Sequence, residues 1–188
     1  MNEFSTYEFA VKQRIEGRFL AAKIGLLLFY TSYVVGLLLI GLLTRILVPL
    51  LALIPLTLWI IVFFTWRFTE VEYEYSITSG ELVFSKIFGN RTRRRQLKIS
   101  LRDAVRIAPL DNGEHSARAE AWKPQREFSA ISSLFAPDIY FILFEYTEKH
   151  GKKAEKCRAI FYFEATSRTL QICRFYNPSA TVLTKASR

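Results

Sequence analysis

The stretch of sequence that decides the fold runs from residue 24 to residue 66 and reads IGLLLFYTSYVVGLLLIGLLTRILVPLLALIPLTLWIIVFFTW. Arg45 is the one charged residue in it. An α-helix rises about 1.5 Å per residue, so about 20 apolar residues cross a hydrocarbon core of about 30 Å. The stretch therefore predicts two membrane-spanning helices, 24–43 and 46–66, joined by a turn at Thr44–Arg45.

The residues that flank this hairpin predict its orientation. Basic residues are concentrated before the first span and directly after the second, whereas the turn holds Arg45 alone. Positive charge stays on the cytoplasmic side, so we expect a multi-pass protein of the plasma membrane with both termini in the cytoplasm. The spans carry no ionisable residue near their centres, which favours an anchor over a transporter. The flanking residues are Lys12, Arg14, Arg18 and Lys23 on one side and Arg67 on the other.

The tail that precedes the hairpin, residues 1–23, has apolar residues at steps of three or four. Tyr7, Val11 and Ile15 belong to this series, and Lys12 and Arg14 lie between them. This spacing is typical of an amphipathic helix at a membrane surface. A frayed polar tail is the alternative, and in both cases the tail lies outside the soluble domain.

The pattern after the hairpin changes to that of β-structure. Apolar residues alternate with acids and hydroxyls over 70–78, turn residues follow at 78–81 and 89–90, and alternation resumes over 95–101. Residues 119–122 are a weaker strand candidate, and 139–147 and 156–164 are strong ones. A helix should start after Thr166 or Ser167 and end before Pro178. We therefore expect an α+β membrane protein with an antiparallel β-barrel or sandwich and a C-terminal capping helix. This domain would span 67–180, and residues 181–188 would form a tail.

Several of these motifs resemble those of a known family. They are Tyr73-Glu74-Tyr75-Ser76-Ile77-Thr78-Ser79-Gly80-Glu81-Leu82, then Gly89-Asn90-Arg91, then Leu101-Arg102-Asp103 leading to Ile107, and finally Arg174-Phe175-Tyr176-Asn177-Pro178. Together they resemble small bacterial membrane-hairpin proteins with a pleckstrin-homology-like (PH-like) domain, a family of unknown function. The resemblance implies two packed sheets with a capping helix, and it implies no activity.

The positive charge of the chain is locally concentrated. The formal net charge is +9, and a basic cluster follows the second predicted turn. Three interpretations compete for it: docking on anionic lipid, neutralisation of Glu70, Glu72 and Glu74 within the sheet, and recognition of a phosphorylated headgroup or an acidic protein. Nucleic acid is not expected, because no aromatic residues for base stacking are interleaved with the cluster. The cluster consists of Arg91, Arg93, Arg94, Arg95 and Lys98.

The sequence carries no recognisable catalytic or metal-binding motif. The two histidines, His115 and His150, and the two cysteines, Cys157 and Cys173, have no spacing that suits a metal or a nucleophile–base pair. We therefore predict no enzyme, no cofactor and no metal site. The expected function is that of a membrane-anchored PH-like module whose cytoplasmic surface binds a protein or anionic lipid headgroups. The alternative is a structural subunit of a larger membrane complex.

Overall fold

The computed structural model of the chain describes residues 6–89, 92–110, 113–133, 135–150 and 153–183. Two compact units are present. The helical unit consists of Arg14–Val71 and Phe88–Thr92. The β unit consists of Met1–Gln13, Glu72–Ile87 and Arg93–Arg188, so that it is built from segments on both sides of the helices.

The helical unit contains two long helices at the two apolar stretches. Helix α1 covers Arg18–Thr44, and helix α2 covers Leu47–Thr65 and continues into a 3-10 turn at Trp66–Thr69. Arg45 adopts a left-handed conformation with φ 59°, which ends α1 and turns the chain back. Both helices are long and apolar enough to cross a membrane.

Hydroxyl groups link the two helices to each other. The Tyr30 hydroxyl lies 2.5 Å from Thr65 Oγ1, and the Tyr33 hydroxyl donates to Thr57 Oγ1 at 2.9 Å. The Thr57 and Thr65 hydroxyls also donate to carbonyls of their own helix. The polar side chains inside these apolar segments therefore find their partners within the helical unit.

The first sheet of the β unit has the strand order β1-β2-β3-β4. Exposed and more buried side chains alternate along β1 and along the second half of β4, as the pleat of a strand requires. The Ser79-Gly80 turn between β2 and β3 has positive φ at both residues, as a two-residue hairpin loop requires. The strands are β1 (Thr6–Lys12), β2 (Val71–Thr78), β3 (Glu81–Phe88) and β4 (Thr92–Ser100).

The second sheet has the order β5-β7-β8-β6. Strands β5, β7 and β8 are antiparallel neighbours, but β6 runs parallel to β8. Helix α3 (Glu114–Ala121) lies between β5 and β6 in the chain, and helix α4 (Ser167–Tyr176) follows β8. The strands are β5 (Ala104–Pro109), β6 (Arg126–Ala130), β7 (Ile139–His150) and β8 (Lys153–Glu164).

The prediction for the N-terminal tail is wrong over Thr6–Lys12, which form strand β1 rather than an amphipathic helix. Tyr7, Phe9 and Val11 pair with residues of β2, whose edge would otherwise be open. Tyr7 and Val11 fit both the helical and the strand spacing, so the periodicity alone was ambiguous. Pairing with β2 supplies hydrogen bonds and an apolar surface that a helix in this place would lack.

Three further expectations for the soluble domain are corrected. Residues 119–122, predicted as a strand, lie in α3 and the turn that follows it. The parallel β6–β8 pair departs from an all-antiparallel arrangement, and of the barrel and the sandwich that the sequence left open, the described strands form two sheets and no closed barrel. The domain also continues past residue 180, because the Val182 N–H donates to the Ile107 carbonyl at 2.8 Å.

The C-terminal helix is confirmed, and it is joined to the rest of the β unit by hydrogen bonds. Thr166 caps α4 by accepting from the Thr169 N–H at 3.2 Å. Just after the helix, the buried Asn177 amide donates to the carbonyls of Leu101 at 3.0 Å and Ala104 at 2.9 Å. These carbonyls flank the crossover from the first sheet to the second, so Asn177 holds that crossover in place.

We predict that Gly80→Ala destabilises the β unit by about 1–3 kcal/mol. Gly80 has φ 84°, which costs an L-residue about 1–2 kcal/mol, and an added Cβ would lie 2.7 Å from Cδ1 of Tyr176. Thermal unfolding of the full chain in a mild detergent, followed by near-UV circular dichroism, measures the loss.

Ser79→Gly is the matched control, because Ser79 already has positive φ and a glycine there relieves strain. This control should unfold at the parent temperature or slightly above it. Equal destabilisation by both variants would contradict the role assigned to Gly80.

Candidate functional site

Most of the predicted basic cluster lies on strand β4, at one edge of the first sheet. Leu97 and Ile99 are buried and hold the second half of the strand against the core, whereas residues 92–96 are exposed. The first half of β4 therefore presents its basic side chains to the surroundings. Arg93, Arg94, Arg95 and Lys98 are all on this strand, and Arg91 lies outside the described residues.

Two members of the cluster form ion pairs within the sheet. Arg93 Nη2 lies 2.6 Å from Glu74 Oε2, although strand β3 separates β4 from β2 in the sheet. The Arg93 side chain is 60% exposed and that of Glu74 only 11%, so the arginine compensates a largely buried carboxylate. Lys98 Nζ lies 2.9 Å from Glu81 Oε2 in a pair that is about half exposed at both ends.

The three glutamates within residues 70–74 have different surroundings. Glu74 is buried and paired with Arg93, so it is not part of a solvated face. Glu72 lies opposite Lys12 of β1 in the strand register. Glu70 precedes β2 and belongs to the helical unit. Neutralisation by these three glutamates therefore accounts for Arg93, and Lys98 is paired with Glu81 instead.

Among the described members of the cluster, Arg94 and Arg95 carry charge that no ion pair compensates. Both are exposed, and neither has an ion-pair partner among the described residues. The Gln96 Nε2 group donates to the backbone carbonyl of Arg94 at 3.3 Å. This pair can therefore attract an anion without first breaking an ion pair.

The buried cysteine of the β unit, Cys173, is unsuited to nucleophilic chemistry. Cys157 and Cys173 are both free thiols. Burial raises the pKa of the Cys173 thiol to about 12, so it carries no thiolate at neutral pH. Within the described residues, no group of three or more His, Cys, Asp or Glu side chains could hold a metal ion.

A cavity of about 310 Å³ lies at the end of α2, and the sequence did not predict it. The turn residue Gly89 closes part of it: its N–H donates to the Glu70 carbonyl at 2.9 Å, and a Cβ here would lie 2.8 Å from Arg67 Cβ. The Lys23 ammonium lies 5.3 Å from the centre of the Trp66 ring. The feature of the sequence that could have indicated a site here is the pair Trp66-Arg67 at the end of an apolar run. The lining residues are Trp59, Val62, Phe63, Trp66, Arg67, Glu70 and Gly89.

We predict that Arg93→Gln destabilises the β unit by about 1–3 kcal/mol, because it leaves the buried Glu74 carboxylate without its cation. Adding Glu74→Gln should restore most of the loss. Arg94→Gln and Lys98→Gln serve as controls and should each cost less than about 1 kcal/mol, since both residues are exposed. Chemical unfolding of the full chain in detergent measures all four variants. Equal losses for Arg93→Gln and Arg94→Gln would contradict the assignment.

Comparison with known proteins identifies the fold family. No curated protein matches the chain, and no solved structure does. A family described as a bacterial PH-like domain, DUF6106, matches residues 4–182. This match includes β1, both long helices, both sheets and α4, so it covers nearly the whole chain. It confirms the resemblance seen in the turn and strand motifs. The chain is therefore a member of the bacterial PH-like domain family DUF6106.

Proposed function

We propose that this protein is a non-enzymatic PH-like module anchored in the membrane by α1 and α2, and that strand β4 docks its β unit on anionic lipid headgroups. The observation that carries the proposal is the exposure of the two apolar helices. In the most apolar 18-residue segment of each helix, only 11% and 6% of the residues are buried within the structure. An apolar helix in the core of a soluble protein would be mostly covered.

Leaving these helices in water would be costly. Fully burying one large apolar side chain is worth about 1.5–3 kcal/mol, and many such side chains on α1 and α2 are about half exposed or more. A bilayer removes this cost and demands that polar groups be satisfied internally. The hydroxyls of Thr31, Ser32 and Thr44 meet that demand, because each donates to a carbonyl of α1.

The sheet pairing supports an even number of crossings. Strand β1 precedes the helices and β2 follows them, yet the two strands are hydrogen-bonded neighbours from Thr6↔Thr78 to Lys12↔Glu72. Paired strands lie on one side of a membrane, so the segment between them returns to the side from which it starts. Two spans meet this condition. The basic residues on the outer flanks favour the cytoplasm for both termini and a location in the plasma membrane.

The charge of β4 supports docking on the inner leaflet. Each basic residue near an anionic membrane surface contributes about 1 kcal/mol. Arg94 and Arg95 have no ion pair to break, and Arg93 follows the turn residue Gly89 by four positions. Along the chain, the basic segment therefore begins within four residues of a turn of the helical unit.

The anchoring predicts that the full chain stays in the membrane pellet after an alkaline carbonate wash. Leu53→Arg with Leu56→Arg should reduce this retention, because each arginine at a helix centre costs about 2.5–3.5 kcal/mol. A reporter fused after Arg188 should be active on the cytoplasmic side. Release of the parent protein by the wash, or a reporter active outside the cell, would contradict the anchoring or the orientation.

The docking predicts slower hydrogen exchange in β4 when the full chain is moved from phosphatidylcholine nanodiscs to nanodiscs that also contain phosphatidylglycerol. Removing Arg94 and Arg95 together should cost about 2 kcal/mol, or about 30-fold in the ratio of docked to undocked protein. High salt should have the same effect, because it screens exposed charges.

The matched control for this experiment is Lys123→Gln with Lys156→Gln, which removes the same charge from exposed positions elsewhere in the β unit. This control should keep the protection of β4. Protection that is equal in neutral and anionic nanodiscs, or unchanged by Arg94→Gln with Arg95→Gln, would contradict docking through β4.

A second candidate function is that of a structural subunit in a larger membrane complex. Phe135 and Phe175 of the β unit are 89% and 63% exposed, and a protein partner could cover them. The chain holds 16 Phe, 9 Tyr and 3 Trp, but this aromatic content argues little for a complex, because many of these residues fill the core. Native mass measurement after gentle detergent extraction separates the two candidates. A monomer would count against the complex.

A further inference from the structure

The cavity at the end of α2 has features of a binding site for a single lipid. We propose that it binds a glycerophospholipid whose headgroup carries both a phosphate and a free primary amine, as in phosphatidylethanolamine. This proposal rests on the proposed membrane anchoring, since it requires α2 to end at the membrane surface. It concerns a site in the helical unit that differs from strand β4.

The apolar wall of the cavity suits an acyl chain. Trp59 and Phe63 stack with ring centres 5.7 Å apart, and Val62 continues the same wall. From Trp59 to Trp66 the helix rises about 10 Å, which covers the depth over which a lipid changes from chain to headgroup. Tryptophan is enriched at this depth of the bilayer because its ring is apolar and its N–H is polar.

The polar end of the cavity carries one charge of each sign. Arg67 contacts the rings of Phe64 and Phe68, with its guanidinium carbon 5.9 and 4.8 Å from their centres. An arginine held in this way offers its planar donors to a phosphate. The nearby Lys23 ammonium over Trp66 adds further attraction for a phosphate.

The carboxylate of Glu70 decides which headgroup fits best. Glu70 is half-buried and has no ion-pair partner among the described residues, although it lines the cavity beside Arg67. A primary ammonium group can donate hydrogen bonds to this carboxylate and cancel its charge. The ammonium of phosphatidylcholine is fully methylated and has no N–H to donate. Phosphatidylglycerol would bring a phosphate without any cation to face Glu70.

The cavity is large enough to hold part of a lipid molecule, and one of its sides is closed. About 310 Å³ is near the lower limit for ligand pockets, so the cavity can hold a headgroup and the first part of a chain. The remaining chain would lie along α2. Gly89 forms one side, where its backbone approaches Arg67 too closely to admit a larger residue.

The tryptophan content of the chain allows a direct test. The protein has three tryptophans, and Trp59 and Trp66 both line the cavity. In a Trp122→Phe background, their fluorescence reports on this site alone. The full chain is reconstituted in phosphatidylcholine vesicles to which one lipid with brominated acyl chains is added: phosphatidylethanolamine, phosphatidylcholine or phosphatidylglycerol. Quenching by bromine measures the lipid beside the two tryptophans.

We expect brominated phosphatidylethanolamine to quench at about tenfold lower mole fraction than brominated phosphatidylcholine, which corresponds to about one charge-assisted hydrogen bond. Glu70→Gln keeps the shape of the side chain and should abolish this preference. Arg67→Gln should weaken quenching by all three lipids. Arg45→Gln, at the other end of the hairpin, and Glu120→Gln, exposed on α3, are the matched controls and should keep the preference.

Equal quenching by the ethanolamine and choline lipids, or a preference that survives Glu70→Gln, would overturn the proposal. Stronger quenching by phosphatidylglycerol would overturn the assignment of the amine to Glu70. These results differ from a failure of membrane anchoring. If α2 did not enter the bilayer, none of the three brominated lipids would quench, whereas a site without headgroup preference would be quenched equally by all.

Discussion

The structure of the β unit depends on aromatic contact between its two sheets. Phe84 of the first sheet lies 5.2 Å from Phe161 of the second, and Tyr75 lies 5.6 Å from Phe163, measured between ring centres. All four side chains are fully buried. Because they carry a large buried apolar area, they hold the sheets face to face. Strand β1 joins these aromatic contacts, because its Phe9 ring packs against Tyr75 with the ring centres 5.6 Å apart.

The buried hydroxyl of Tyr75 extends this contact to the end of the chain. It donates to the Glu164 carbonyl at 2.8 Å and lies 3.1 Å from Thr169 Oγ1 of α4. Thr166 connects Thr169 to the Tyr7 hydroxyl of β1 through contacts of 2.8 and 2.7 Å. Burial raises the pKa of Tyr75, so this hydroxyl keeps its proton and remains a donor. The first strand and the last helix therefore share one hydrogen-bonded network.

This architecture makes the helical hairpin an insertion in the β unit rather than a tail attached to it. The chain forms one strand, leaves for two helices, and returns to pair with that strand. A fragment that starts after the helices would lack β1 and would expose the edge of β2. Arg94 and Arg95 on β4 and the cavity at the end of α2 are the two features on which the proposed lipid contacts rest: exposed positive charge on a strand, and a shaped site in the helical unit.

The sequence by itself determined those helices, strands and turns that depend on residues close to one another in the chain. The apolar composition of 24–66, the alternation over 70–78 and the Thr166 cap each identify a helix, a strand or a helix start, because the physical cause lies within a few residues. Only the tertiary structure decided what depends on distant partners. The strand at Thr6–Lys12, the pairing of Arg93 with Glu74, and the cavity formed by α2 with Gly89 all require residues far apart in the chain to meet. Periodicity carries no information about such partners, since strand order and register are set by how the whole chain buries its apolar surface.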